Sequence, residues 1–319
     1  MMTGTVLQGR IKVGDNLEIP SLGVARKVKS IQMFRKGVDS VSHGDRAGVC
    51  VTQFDPSLLE RGLACAPGTV PITFAVIIDL NGIPYYKGEI RSKAKFHISL
   101  GHETVMARVS IFSEPVAAAA AAGGSGSFSF DNEYRHAEIF ATGENNVKSF
   151  ALLEFEKAVP VVPNCIVIGS KLDTDINANI CRLAFHGTVR WATTDKDYAK
   201  TELQNLKVFK NKCKEGVVER ASNEFEVIVR DLVKKETNLD LFTGLRVELS
   251  SGESGSIEGT FGQSGKIKVR VVQGLSPETY AKVGGKKKKG EGPVHQEPVT
   301  VKLHFKRYIF DQKKRMIQS

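Results

Sequence analysis

The sequence predicts an all-β chain of barrels or sandwiches, and strand periodicity is the first observation behind that prediction. Apolar and polar residues alternate with a period of two over residues 93–100, 266–271 and 299–306. In a strand this pattern places the apolar side chains on one face, and the opposite faces here are basic. Turn sequences that contain glycine occur at residues 13–15, 251–253 and 263–265. Short strands joined by such turns are typical of barrels and sandwiches.

Helix signals are few and short, which is the second observation. Asp55 followed by Pro56 can begin a helical turn that Gly62 ends. Ser276 before a proline offers a second start, which continues toward Lys282. Neither segment is long enough to be an architectural helix, so the framework is expected to consist of strands.

The composition is that of a globular protein. The chain has 319 residues, of which 41% are hydrophobic and 25% charged, which excludes disorder throughout and a collagen-like or coiled-coil rod. It contains no run of 18 apolar residues and no signal-peptide pattern, so no membrane partner is expected. The five cysteines are scattered and never spaced as C-x-x-C, which favours reduced thiols in an intracellular protein.

The net charge of +10 is concentrated in the last third of the chain. Residues 206–319 hold 23 Lys+Arg against 14 Asp+Glu, a net of +9, whereas residues 1–205 hold 22 against 21. A basic segment of this kind favours a polyanionic partner, and nucleic acid is the first candidate. Surplus surface lysines on an ordinary domain are the alternative.

Composition also predicts the domain boundaries. The Ala-Pro-Gly sequence near residue 68 and the change in charge near residue 205 divide the chain into predicted domains 1–68, 69–205 and 206–319. A low-complexity Ala/Gly/Ser insertion interrupts the second domain near residues 115–130, and a glycine-flanked lysine run interrupts the third.

Motifs that carry catalysis are missing from the sequence. A P-loop requires G-x-x-x-x-G-K-[ST], but the nearest imitation, Gly265-Lys266, is followed by Ile267. The N-K-x-D motif that reads guanine is not completed after Asn211 either. No nucleophile elbow, H-E-x-x-H motif or Cys/His cluster occurs, and His102 follows a glycine turn. The sequence therefore predicts no catalytic residue and no metal site.

Three segments in order resemble the second domain of translational GTPases of the elongation factor Tu type. They are residues 27–36 (KVKSIQMFRK), 44–49 (GDRAGV) and 58–62 (LLERG). The later segments resemble eukaryotic selenocysteine-specific elongation factors; they are residues 93–109 (KAKFHISLGHETVMARV), 151–155, 165–172 and 305–308. The resemblance implies two elongation-factor-Tu-like β-barrels followed by a third, basic, β-rich, barrel-like domain.

The resemblance also implies what precedes this sequence in the family. The GTPase domain and the first strand of the first barrel would lie before Met1. GTP and Mg²⁺ would then bind in that missing domain, so this chain itself is expected to hold no cofactor and to be no enzyme. The family implies a cytoplasmic location, with a nuclear one also open.

Two residues are implied to meet the tRNA 3′ end. In elongation factor Tu, a Q/E-M-x-R turn receives the terminal adenosine of aminoacyl-tRNA. Here Gln32 occupies the position of that factor's Glu, and Arg35 occupies the position of its Arg. An amide still donates and accepts hydrogen bonds, although it lacks the charge of a carboxylate. An ordinary exposed turn is the alternative for both residues.

The resemblance implies that Arg46 selects the amino acid. The general factor has a neutral Asn at this position in its aminoacyl pocket, and the selenocysteine factor has an Arg. A selenol is anionic near neutral pH and a serine hydroxyl is neutral, so a fixed guanidinium favours selenocysteine. The alternative is a surface ion pair of Arg46 with Asp39, Asp45 or Asp55.

The remaining implied contacts are with RNA backbone. The candidates in the second domain are Lys93, Lys95 and His97. Those in the third are Lys266, Lys268, Arg270, Lys286, Lys287, Lys288 and Lys289. Binding of the backbone by shape and charge would depend strongly on salt, and plain solvated lysines are the alternative.

The resemblance implies a translation elongation factor that binds selenocysteinyl-tRNA and delivers it to the ribosome at recoded UGA codons, and the basic last third of the chain agrees with RNA contact. The implied partners are that tRNA, the ribosome, the selenocysteine-insertion RNA element and its binding protein. Two alternatives stay open: a general aminoacyl- or initiator-tRNA carrier, and a β-barrel adaptor or generic RNA-binding protein.

Overall fold

The computed structural model is an all-β protein, as predicted. It describes residues 1–115, 127–140, 147–173, 175, 177, 179–234, 239–262, 265–284, 298–313 and 316–318. Strands make up about 53% of it and helices about 7%. No helix in these ranges is long and apolar enough to cross a membrane.

The chain divides into two compact units, Met1–Leu203 and Gln204–Ser319. The predicted boundary near residue 205 lies beside this division, and the one near residue 68 lies in the connection between the seventh and eighth strands. The lysine run 286–289 and most of the Ala/Gly/Ser insertion lie outside the described residues.

The first unit begins with a small open sheet and a separate two-stranded ribbon. Its strands are β1 (Met2–Thr5), β2 (Arg10–Lys12), β3 (Asn16–Ile19), β4 (Val24–Met33), β5 (Lys36–Val38), β6 (Ser40–Ser42) and β7 (Arg46–Val51). The sheet order is β1-β7-β4-β3 with β5 beside β4, and β2 pairs with β6. Buried residues including Val28, Ile31 and Ala47 form its core.

The same unit continues into a closed six-stranded barrel. Its elements are β8 (Ile72–Asp79), β9 (Asn81–Gly82), β10 (Lys95–Leu100), β11 (Glu103–Ser113), β12 (Glu133–Ala137), β13 (Ser149–Pro160), β14 (Ile166–Ser170) and β15 (Leu183–Thr193). The order β10-β14-β15-β8-β13-β11 closes because β11 pairs back with β10. Phe96 and Phe185 contact edge to face in its core, with ring centroids 5.3 Å apart.

The second unit is another ring of six antiparallel strands. Its elements are β16 (Lys207–Asn223), β17 (Glu226–Arg230), β18 (Arg246–Leu249), β19 (Ser254–Phe261), β20 (Lys266–Val271), the helix α1 (Pro277–Val283), β21 (Thr300–Tyr308) and β22 (Met316–Ile317). The pairings run β16-β17-β20-β19-β18-β21, and β21 pairs with β16. The inward-facing valines, leucines and isoleucines of these strands form its core.

Helical turns are short, as the sequence predicts. Within the described ranges, four 3₁₀ turns cover Pro20–Leu22, Pro56–Leu58, Leu203–Asn205 and Leu239–Phe242. The Asp55 carboxylate accepts a hydrogen bond from the Ser57 N–H at 2.9 Å. The Ser276 hydroxyl caps α1 by accepting from the Thr279 N–H at 3.3 Å. Both predicted helix starts are therefore confirmed.

Candidate functional site

Pairing of β4 with β7 brings two of the predicted site residues onto one face of the small sheet. Gln32 on β4 pairs with Gly48 on β7, and Arg46 lies two residues along β7 from Gly48. Side chains two residues apart on a strand point the same way, so Gln32 and Arg46 project from one side. Ile31 and Ala47 project from the other side into the core. We call the exposed side the Gln32–Arg46 face.

Glycines flank Gln32 on both neighbouring strands of this face. Gly48 lies beside it on β7, and Gly37 lies beside it on β5. A Cβ atom added at Gly37 would meet no atom within 4 Å, whereas one added at Gly48 would lie 2.7 Å from the Met1 sulfur. Glycine within a strand leaves room for another group to approach the backbone. The exposed amide of Gln32 therefore borders an open strip on the β5 side.

The turn between β4 and β5 is strained. Met33 pairs with Lys36 across a two-residue turn, and its central residues Phe34 and Arg35 have φ values of 51° and 65°. Turns with two positive φ values normally contain Asn or Gly, because a side chain is unfavourable there. Phe34 is also 89% exposed. Strained residues with exposed functional side chains are common at binding sites.

Arg46 begins β7 and is exposed. It pairs with Thr5 of β1, which lies on the same face. In the described part of the chain, no ion pair joins Arg46 to Asp39, Asp45 or Asp55. Asp45 instead accepts hydrogen bonds from the Ser42 N–H and hydroxyl at 2.8 and 3.2 Å. The guanidinium of Arg46 is therefore available to an anion from outside this part of the chain.

The basic candidates of the six-stranded barrel differ in their surroundings. Lys95 Nζ lies 2.6 Å from a carboxylate oxygen of Glu156, and His97 Nδ1 lies 3.2 Å from one of Asp173. Lys93 sits in an exposed turn with a φ of 72°. Its side chain has no ion pair with a described residue, so Lys93 is the most available cation of the three.

The basic candidates on β20 lie in a ladder of ion pairs. Lys266 Nζ contacts Glu219 at 2.7 Å, Lys268 Nζ contacts Glu226 at 2.7 Å and Glu258 at 3.2 Å, and Arg270 contacts Glu258 at 3.1 Å. Hydrogen bonds from Arg270 and Lys268 hold the pKa of Glu258 below its usual value. Local carboxylates therefore balance the positive charge of this strand face.

A second group of cations in the same unit escaped the sequence prediction. Lys214 lies on β16, Lys234 lies just after β17, and Arg307 lies on β21. No local motif links the three residues. The sequence around each of them looks like that of any strand with basic residues on its exposed face. The pairing of β16 with β17 brings Lys214 and Lys234 to one cavity. None of the three residues has an ion pair with a described residue.

The described residues contain no group of three or more His, Cys, Asp or Glu side chains that could hold a metal ion. Among the described residues, pairs of potential ligands that meet include Cys213 with His304, at 3.8 Å, and His97 with Asp173, at 3.2 Å. The turn predicted between His97 and His102 is present, with a φ of 58° at Gly101.

The small sheet and the six-stranded barrel that follows it both match translation-factor domains. Residues 1–62 match the family described as elongation factor Tu domain 2. Residues 77–187 match the third domain of eukaryotic selenocysteine-specific elongation factors, and residues 204–314 match the C-terminal RIFT domain of eEFSec. The chain belongs to the selenocysteine-specific elongation factor family.

Individual relatives agree with these matches. The selenocysteine-specific elongation factor of Mus musculus is 44% identical over 100% of this chain and 61% of its own length. That of Methanocaldococcus jannaschii is 24% identical over 84% of this chain and 51% of its own length. The chain thus spans between half and two thirds of these curated relatives.

Solved structures show the same fold. Translation elongation factor SelB from Methanococcus maripaludis, in its apo form, aligns with a TM-score of 0.54 and 21% identity. Its complex with the GTP analogue GppNHp aligns with a TM-score of 0.57. Both alignments cover 96% of this chain and 58% of the SelB chain.

Proposed function

We propose that this chain is the tRNA-binding part of a selenocysteine-specific elongation factor, which carries selenocysteinyl-tRNA to the ribosome at recoded UGA codons. The observation that carries the proposal is that Gln32 and Arg46 project from one exposed sheet face, where Arg46 has no ion pair with a residue that the structure describes. The 44% identity to the mouse factor over the whole chain supports it.

On this face the terminal adenosine would lie against Gln32 and Arg35, beside the open strip at Gly37. The attached amino acid would then extend toward Arg46, where a selenolate would accept a charge-assisted hydrogen bond. Seryl-tRNA would leave the guanidinium without an anion, so the same geometry disfavours the precursor.

The family's GTPase activity, with its GTP and Mg²⁺, would reside in the portion of the relatives that this chain does not span. The second unit would bind tRNA and couple the complex to the insertion element and its binding protein. Its net charge of +9 over residues 206–319 supports RNA contact.

Competition binding tests the proposal. The experiment uses labelled selenocysteinyl-tRNA bound to the longer protein that includes the GTP-binding region. Unlabelled seryl-tRNA or initiator tRNA should displace it far less well than unlabelled selenocysteinyl-tRNA does. Equal displacement by initiator tRNA would favour a general carrier. If the 319-residue chain retains no tRNA even at low salt, a β-barrel adaptor becomes the better account.

A further inference from the structure

A cavity of about 570 Å³ lies in the second unit, between the middle of β16, the segment after β17 and the start of β20. Four cations and two carboxylates line it, namely Lys214, Arg230, Lys234, Lys266, Glu215 and Asp231. Leu232 and Val233, which are buried, form part of its wall.

Ion pairs already occupy both carboxylates and two of the cations. Glu215 contacts Lys302 at 3.4 Å, Asp231 contacts Arg230 at 3.7 Å, and Lys266 contacts Glu219 at 2.7 Å. Lys214 and Lys234 remain, and neither has an ion pair with any residue that the structure describes. The cavity therefore holds two cations whose charge nothing described there neutralises.

Lys214 is partly withdrawn from water, and its ammonium lies over an aromatic ring, which offers a favourable cation–π contact but no anion. Its side chain is half-buried, and Nζ lies 4.8 Å from the centroid of the Phe242 ring. Burial, and then the nearby charges of Lys234 and Arg307, lower the pKa of Lys214. An anion in the cavity would relieve both the burial cost and the repulsion between the cations.

We propose that this cavity binds a phosphate group of an RNA backbone, with Lys214 and Lys234 as its direct ligands. Compact ammonium groups are suited to phosphate. An RNA phosphate is favoured over an acidic protein segment because the inference rests on the proposed function, in which this unit binds RNA. The Asp231 carboxylate, which contacts Arg230 and lines the same cavity, would limit the site to a single phosphate.

Inorganic phosphate is the first probe, because it tests the cavity without any tRNA. In the 319-residue chain, the side-chain ammonium signals of Lys214 and Lys234 should shift in NMR spectra as phosphate is added and should reach a plateau. The signal of exposed Lys282 on α1 serves as the control. A shift at Lys214 no larger than that at Lys282 would overturn the proposal.

The second probe is the salt dependence of binding to a selenocysteine tRNA transcript. The double variant Lys214→Gln, Lys234→Gln should make the slope of the logarithm of the association constant against the logarithm of the salt concentration less steep by about 1. It should also weaken binding roughly five- to tenfold at low salt. The matched control, Arg246→Gln with Lys282→Gln, removes the same charge from exposed positions elsewhere in the unit. Lys214→Arg keeps the charge and should restore the slope, and Lys234→Gln alone covers the case in which Lys214→Gln unfolds the unit.

These outcomes separate the site from the proposed function. Equal slopes for the double variant and its control would exclude RNA phosphate from the cavity, as would displacement of inorganic phosphate by an acidic peptide but not by RNA. If the salt dependence of binding becomes less steep in the double variant while the wild-type chain binds selenocysteine and serine tRNAs equally well, the phosphate site is supported and the proposed selectivity is wrong.

Discussion

Gln32 and Arg46 project from the same face of the small sheet, on adjacent strands and offset by two residues. Diagonal neighbours of this kind lie about 7–8 Å apart in antiparallel sheets, so both side chains can contact one ligand of the size of an aminoacylated nucleoside. In the proposed function, the Gln32 amide contacts the base and the Arg46 guanidinium contacts the anion. The proposed selectivity for selenocysteine depends on that division of roles.

Filling the open strip beside Gln32 should weaken tRNA binding without unfolding the sheet. In Gly37→Val the new side chain meets open space, and a β-branched residue suits a strand, so unfolding should change by less than about 0.5 kcal/mol. Binding of the tRNA 3′ end should fall several-fold, as measured with a short CCA-ended RNA. The control is Gly4→Val, because Gly4 pairs with Ala47 on the opposite face. If the two variants bind equally, the strip plays no part.

Relaxing the strained turn should make the protein more stable and a weaker binder. Replacing Phe34 and Arg35 with Asn and Gly suits the two positive φ values, so thermal or denaturant unfolding should show a gain of about 1 kcal/mol. Loss of the Arg35 guanidinium and the Phe34 ring should reduce affinity for the 3′ end. Phe34→Asn alone separates the strain from the arginine. Undiminished affinity in both variants would remove the turn from the binding site.

Neutralising Glu253 should change how the stability of the second unit depends on pH. Burial alone would raise the pKa of Glu253, but hydrogen bonds from Ser251, Thr279 and Ser276 outweigh it and hold the pKa at about 2. A carboxyl with a lowered folded-state pKa contributes stability above its unfolded pKa near 4.3, and this contribution is lost as the pH falls toward 2.

Glu253→Gln should therefore flatten the fall in unfolding free energy between about pH 4.5 and 2. At neutral pH it should cost roughly 1 kcal/mol, after allowance for partial exposure. Glu248→Gln, at an exposed position on β18, is the matched control. If the unfolding free energy of Glu253→Gln falls with pH as steeply as that of the wild type, the hydrogen bonds between Glu253 and α1 contribute nothing measurable to stability.

Removing a cation from the β20 ladder should affect RNA binding much less than removing one from the cavity. Lys268 is held by Glu226 and Glu258, and these contacts raise its pKa. An RNA phosphate would have to compete with both carboxylates. Lys268→Gln should therefore leave the salt dependence of tRNA binding unchanged within error. If it reduces the salt dependence as much as Lys234→Gln does, the ion pairs of the ladder break and Lys268 contacts RNA.

Local patterns predicted the strands and caps because their causes are local. The alternation at residues 95–100 and 266–271 and the Ser276 cap each depend on neighbours in sequence. Burial of β-strand faces then limits the possible folds to barrels or sandwiches. The roles predicted for Gln32, Arg35 and Arg46 came from resemblance, and they stay predictions.

Contacts between strands that are distant in sequence could not be predicted from local patterns. The carboxylates that neutralise Lys95 and Lys268 come from other strands, so a basic alternation gave no sign of them. Gly37 and Gly48 likewise come to flank Gln32 only through the register of β5, β4 and β7. The same holds for Lys214 and Lys234.

The most direct test is the ratio of affinities of Arg46→Asn for selenocysteinyl-tRNA and seryl-tRNA, measured by protection of the ester bond in the longer, GTP-bound protein. Loss of a charge-assisted hydrogen bond should reduce the preference for selenocysteine about tenfold or more. Arg61→Asn, which removes the same charge from an exposed position after the small sheet, should leave the ratio intact. An unchanged ratio in Arg46→Asn would contradict the assignment of this face to the aminoacyl group.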